Sequence, residues 1–195
     1  MKSRFRPLVL VAAVAAALAF AITPAGAVSV QEDSLPPAAI NNPSISLSII
    51  TALPEVIQND PDVIIAEDFV PGPSIYPDGT PVEGQSSVNS RAARACGGSA
   101  AAGLAGAWGV ISYSNCNVWG SPGWTQGYAW NSMDPARSVC VQGRGFNASG
   151  VGTWYGIGCG SSATVEVPWG NILATPQVRA MSNAVLLGNT VSWRH

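Results

Sequence analysis

From Ala163 to Trp169 the chain reads A-T-V-E-V-P-W. On an extended backbone Val165, Val167 and Trp169 fall on one side and Thr164, Glu166 and Pro168 on the other. That is the pattern of a half-buried strand, with Pro168 near an edge or a strand end. Alternating or short apolar runs also cover 107–113, 125–130, 137–142, 153–158 and 190–194, separated by clusters of Gly, Ser, Pro and Asn. The same alternation puts Val191 with Trp193, and Trp108 with Val110, on core faces. Pro176 to Leu187 is the one stretch with a helical pattern, and Gly188 is placed to end it. The pattern predicts a mainly β fold: a small antiparallel β-sandwich or barrel of about 100 residues.

The densest aromatic stretch is N-V-W-G-S-P-G-W-T-Q-G-Y-A-W, residues 117–130. Pro122 and Gly123 occupy the two central positions of a type II turn, which predicts a hairpin. Pairing Ser121 with Trp124 then sends Trp119, Trp124, Gln126, Tyr128 and Trp130 to one face, opposite a face of small residues. Such a stripe has two uses. Its rings either supply a core or form a platform on which sugar rings stack, with Gln126 and Asn131 giving amide hydrogen bonds. These five residues are the candidate ligand-binding set, and Trp124, at the turn, is the ring best placed to reach a ligand.

Composition divides the chain. Lys2, Arg4 and Arg6, the apolar run Leu8 to Ile22 and the small residues Ala25-Gly26-Ala27 make residues 1–27 a secretory signal peptide cleaved after Ala27. The run is shorter than the roughly 20 residues of a membrane span, so no membrane anchor is expected after cleavage. Residues 28–90 hold nine of the fifteen prolines and nine of the eleven acids, with no Lys or Arg. Residues 91–195 carry six arginines against Asp134 and Glu166, and all seven tryptophans. The expected organisation is therefore a signal, an acidic Pro-rich linker or pro-segment that is largely extended, and one compact domain over 91–195. Two short apolar stretches, Ile45-Leu47-Ile49 and Val63 to Ile65, leave room for short strands in the acidic part. If that part is a pro-segment, it lies on the cationic domain until proteolysis near Arg91 or Arg94.

Cys96, Cys116, Cys140 and Cys159 are the only cysteines, and an even number in an exported chain fits two disulfides. Pairing of sequence neighbours closes two loops of similar length, and two other pairings are open. A metal site is not expected, since there is no Cys-x-x-Cys and His195 is the one histidine. From Cys96 onward Val, Ile, Leu and Phe total eighteen. With so few aliphatics, tryptophans must supply much of the core.

The proton-handling inventory of 91–195 is short. It has no lysine, one histidine and two acids, so a Ser-His-Asp triad would depend on His195 in a chain end that is commonly mobile. No cofactor is expected: G-R-G-F-N-A-S-G-V-G over 143–152 reads as turn material without the lysine of a phosphate loop. The arginines are dispersed, which fits an anionic surface better than nucleic acid. An Ala-rich signal and a lysine-poor domain resemble the composition of exported proteins from GC-rich bacteria. The expectation is a secreted, non-enzymatic, extracellular protein that binds cell-wall polymer or polysaccharide through exposed aromatics and arginines. Two alternatives stand beside it: a proprotein of a cationic antimicrobial or toxin-like domain neutralised by its acidic segment, and a structural envelope protein.

Overall fold

Proline starts helices in this chain as well as breaking them. The computed structural model describes residues 35–85, 96–184 and 188–195; the expected signal peptide and cleavage point, and Arg91 and Arg94, lie outside them. Over 35–85 the largely extended chain expected from composition is replaced by three one-turn helices, α1 (Pro37–Asn41), α2 (Leu47–Thr51) and α3 (Glu55–Gln58), and two short strands, β1 (Ile64–Ile65) and β2 (Ser74–Ile75). Pro37 stands in the first turn of α1 and Pro54 at the N-cap of α3, where a missing N–H is harmless. Ser46 caps α2 by accepting from Ile49 N. Of the alternating Ile45-Leu47-Ile49, Leu47 and Ile49 are thus helical, and Ile50 rather than Leu47 is buried. Asn42 pins β1: its amide donates to the Ala38 and Val63 carbonyls, and its Oδ1 accepts from Ile65 N at 2.6 Å.

The remaining strands are β3 (Gly97–Gly103), β4 (Ser112–Tyr113), β5 (Asn117–Trp119), β6 (Thr125–Ser132), β7 (Val139–Phe146), β8 (Gly152–Gly160), β9 (Ser162–Pro168), β10 (Ile172–Ala174), β11 (Gln177–Ser182) and β12 (Thr190–Arg194). Eight of them form one sheet in the order β8-β7-β11-β3-β12-β6-β9, with β4 also paired to β11. The two end strands, β8 and β9, are consecutive and meet at the single linking residue Ser161, so the sheet must curl into a nearly closed barrel. Its interior holds Tyr128, Trp130, Val139, Val141, Ile157, Val178, Val191 and Trp193. The mainly β expectation holds, but the sheet is not purely antiparallel: β11 runs parallel to β3, β1 to β10 and β2 to β5.

Two further corrections concern particular strands. The helical stretch beginning at Pro176 is the strand β11, with Val178, Ala180 and Ser182 inward. Residues 107–111 form no strand, and Val110 is 83% exposed. In their place β3, written G-G-S-A-A-A-G, crosses the middle of the sheet and buries Ala100 and Ala102. A side chain at Gly103 would collide with the Ala107 carbonyl, which is why the strand is built from such small residues.

The smaller sheet, β1-β10-β5-β2, takes its outer strands from the acidic segment and its inner ones from the remainder of the chain. Ile64 pairs with Ile172 and Ser74 with Asn117. Beneath it Ile50, Ile57, Val63 and Val82 pack with Leu173 and Trp119. Asp68 adds a 3.2 Å ion pair to Arg144 and accepts from Gln177 Nε2 at 2.8 Å. The described part of the acidic segment is built into the fold of the β domain.

Both disulfides join sequence neighbours, Cys96 to Cys116 and Cys140 to Cys159. Cys140 and Cys159 are directly opposite on β7 and β8, so their bridge staples one edge of the barrel. Cys96 and Cys116 belong to a separate core with Phe146, Trp169 and Ile172. Each bridge closes a loop of about twenty residues, worth roughly 3 kcal/mol on the loop-entropy scale. Among the described residues no helix is long and apolar enough to cross a membrane.

Candidate functional site

The type II turn is present, and the hairpin is not. Trp124 N donates to Ser121 O at 2.9 Å and Gly123 has φ 76°, the left-handed value that position requires. The strands on either side part company. Before the turn, β5 pairs with β10 and β2; after it, β6 enters the large sheet between β12 and β9. An unprimed turn twists flanking strands apart, and each here has better partners elsewhere.

The five candidate residues are separated accordingly. Gln126, Tyr128 and Trp130 do share one face of β6, as alternation requires, and that face is the barrel interior. Tyr128 and Trp130 are core rings: the phenol donates to Arg144 O and the indole to Ile157 O, both at 2.8 Å. Burial pushes the Tyr128 phenol far above its ordinary pKa. Gln126 is buried, its amide donating to the Gly127 carbonyl. Trp119 stacks on Tyr76 at 5.6 Å and donates to Asn171 Oδ1 at 3.1 Å. Trp124 is half-buried and lines the aromatic-rich surface groove described next, which none of the other four lines.

That groove has a volume of about 770 Å³, within the usual range for a small-molecule or oligomer site. Its floor is an edge-to-face series in which Trp124 meets Trp169 at 6.1 Å and Trp169 meets Phe146 at 5.0 Å. Gly120 is obligatory behind it, because a Cβ there would strike the Gly170 carbonyl and both indoles. Trp124 O accepts from Trp169 N and Gly170 N, fixing the turn against the β9–β10 connection. Tyr155 from β8 forms a wall, and its hydroxyl has no partner among the described residues. Asn147, Asn171 and Asp62 supply polar groups at the rim. Asn147 Oδ1 is committed to Ser149 N and Val151 N, which orients its amide nitrogen and leaves it unbonded among the described residues. Asn171 donates to Asp60 and so links the rim to the acidic segment.

The sequence reading missed Tyr155, Asn147 and Asp62. Tyr155 sat in an expected strand with nothing to tell which face it would take. Asn147 falls in turn material and in the sequon Asn147-Ala148-Ser149, and Asp62 in the segment expected to be a spacer.

No protein family, curated protein or solved structure matches this chain. Its chemistry is read from geometry alone.

The groups that might act in catalysis are tied up or far apart. His195 is fixed rather than mobile: its N–H donates to Cys96 O, its Nε2 lies 2.7 Å from Ser114 Oγ, and its ring packs on Trp193. Burial lowers its pKa to about 4. The imidazole is therefore neutral at pH 7 but a poor base, since efficient proton transfer needs a pKa near the working pH. Ser114 Oγ also accepts from Cys116 N, and among the described residues no carboxylate hydrogen-bonds the imidazole. The pair reads as a clasp holding β12 to the Cys96–Cys116 bridge. Asp134 is paired with Arg137 at 3.0 Å, and Glu166 accepts from Thr125 at 2.7 Å. Glu166 lies opposite Gly127, seven positions from Asp134, roughly 20 Å at the rise of a strand. Paired glycosidase carboxylates stand about 5–9.5 Å apart. Among the described residues no cluster of His, Cys, Asp and Glu fits a metal ion.

Proposed function

We propose that this protein is a secreted, non-enzymatic binder of cell-envelope or extracellular polysaccharide, and that the Trp124–Tyr155 groove holds the glycan. The observation that carries the reading is the groove's composition: the half-exposed rings of Trp124 and Tyr155, backed by buried Trp169 and Phe146, beside unbonded phenol and amide donors. The apolar C–H face of a sugar stacks on such rings while its hydroxyls meet the polar rim. Export is supported by the N-terminal pattern of residues 1–27 and by the two disulfides.

The test is co-sedimentation of the full chain with insoluble cell-wall and neutral glycan preparations, followed by titration with oligosaccharides released from whichever is bound. Trp124→Ala and Tyr155→Phe are each expected to weaken binding, the first by about tenfold, as loss of one aromatic contact of roughly 1–1.5 kcal/mol requires. Retention of full affinity by Trp124→Ala would remove the groove from the reading.

The proprotein alternative is favoured by one contact, the Asp68–Arg144 pair, in which an acid of the N-terminal segment neutralises an arginine of the domain. It requires a cleaved, growth-inhibiting product beginning near Ala92 or Ala95. The full-length chain as the sole secreted species would argue for the binder.

A further inference from the structure

The outer face of the barrel carries a second constellation. Arg179 on β11 has its guanidinium carbon 4.4 Å from the Trp154 ring centre and 4.9 Å from that of Trp108. The two indoles come from β8 and from the segment after β3, and among the described residues they make no ring contact with each other; the guanidinium stands between them. Gln142, directly opposite Arg179 on β7, accepts from its Nε at 2.8 Å. That bond fixes the rotation of the planar head and directs its terminal nitrogens away from Gln142. Those nitrogens, Nη1 and Nη2, have no hydrogen-bond acceptor and no carboxylate among the described residues. Arg144 is a second cation on the same face, opposite Trp154 on β8 and 5.7 Å from its ring.

We infer that Arg179, held between Trp108 and Trp154, is a carboxylate-binding site, and that the glycan taken by this protein is acidic, carrying uronate-type groups. This rests on the polysaccharide reading above and deepens it. A guanidinium held at Nε by Gln142 and packed on two indoles presents two parallel N–H donors at little further entropic cost, the geometry that pairs bidentately with a carboxylate. Electrostatics point the same way. Partial burial and the nearby Arg144 charge hold the Arg179 pKa below its ordinary value, so an anion relieves a repulsion already present. Arg144 keeps Asp68 as its partner, whereas Arg179 has no such acid among the described residues. Arg144 also lines a cleft of about 330 Å³, together with Glu67 and Asp68, that shares Ile64, Phe146 and Gly150 with the aromatic groove beside the β7–β8 turn.

The experiment measures binding of the full chain to polygalacturonate, to the same polymer fully methyl-esterified, and to polyphosphate of similar length. Wild-type protein is expected to bind polygalacturonate and to lose at least about tenfold on esterification, the scale of one charge-assisted bidentate pair. Arg179→Ala and Arg179→Lys should both show that loss, because lysine keeps the charge without the fork. Arg194→Ala, an exposed arginine elsewhere, should stay within about twofold. Equal affinity for the esterified polymer, tighter binding of polyphosphate, equal loss in Arg194→Ala, or binding of no polymer would each overturn the inference. The esterification arm uses wild-type protein and stands whether or not the Arg179 variants fold. If neutral glycan still binds in a Trp124-dependent way while Arg179 proves irrelevant, the carboxylate site alone falls; if Trp124 is irrelevant and Arg179 is not, the groove falls.

Discussion

Trp130 and Trp154 both sit in strands of the same curled sheet, and they do opposite things. Trp130 on β6 points into the barrel, is 3% exposed and gives its indole N–H to the Ile157 carbonyl. Trp154 on β8 points outward, is half-buried and is covered on its face by the Arg179 guanidinium. A buried indole has one polar atom to satisfy and finds an acceptor inside the fold; an outward indole keeps its π face available and attracts a cation. What separates a structural tryptophan from a recognition tryptophan here is therefore its partner, which the residue itself does not disclose. Trp169 and Trp193 follow the first pattern, donating to Ile172 O and Ser112 Oγ, while Trp108 follows the second.

The comparison is broken most forcefully by Trp130→Ala. A large ring removed from the barrel interior should cost about 3–5 kcal/mol, enough to leave much of the protein unfolded in a denaturant or thermal melt. Trp154→Ala should leave the melt within about 1 kcal/mol of wild type, the scale of an exposed cation–π contact. Equal destabilisation by the two would erase the distinction.

The next effect is of pH. His195 has a folded pKa of about 4 against about 6.5 in the unfolded chain, so the unfolded state takes up the proton first. The stabilisation from the neutral ring is whole above pH 6.5 and is lost as pH falls toward 4. It amounts to about 2–3 kcal/mol at 1.36 kcal/mol per unit, allowing for the ring's residual exposure. Chemical denaturation of wild type and His195→Gln across pH 4–7 checks this, and the variant should show the shallower slope. The smallest effect expected is that of Asp68→Asn. Its ion pair with Arg144 is partly exposed, so the loss should lie within about 1 kcal/mol and shrink in high salt.

Alternation was enough to place Val167, Trp169, Val191 and Trp193 in the core, because each lies in or directly after a strand whose other face is polar or small. It also put Gln126, Tyr128 and Trp130 on one face of β6. It failed where the carrier of structure was not apolar periodicity. β3 is legible only as small residues, because what selects them is the closeness of neighbouring backbone. Trp108 and Val110 alternate without forming a strand; Gly109 there packs too tightly on Ala101 O and Gly103 N for any side chain. The acidic segment looked like a spacer because composition counts prolines without positions, and Pro37 and Pro54 stand where helices begin. Half of the groove was out of reach for a related reason. Tyr155 and Asn147 come from the β7–β8 hairpin and Asp62 from the acidic segment, and only tertiary structure brings them to Trp124.

The small sheet imposes an order of assembly. Its outer strands, β1 and β2, are made early in the polypeptide, yet β1 runs parallel to β10, whose Ile172 is over a hundred residues later than its partner Ile64. Contacts of that span close slowly, since loop entropy is lost before any pairing is gained. Ile64 and Ile65 therefore find their strand partner only once β10 has been made, and that seam joins an early part of the chain to a late one.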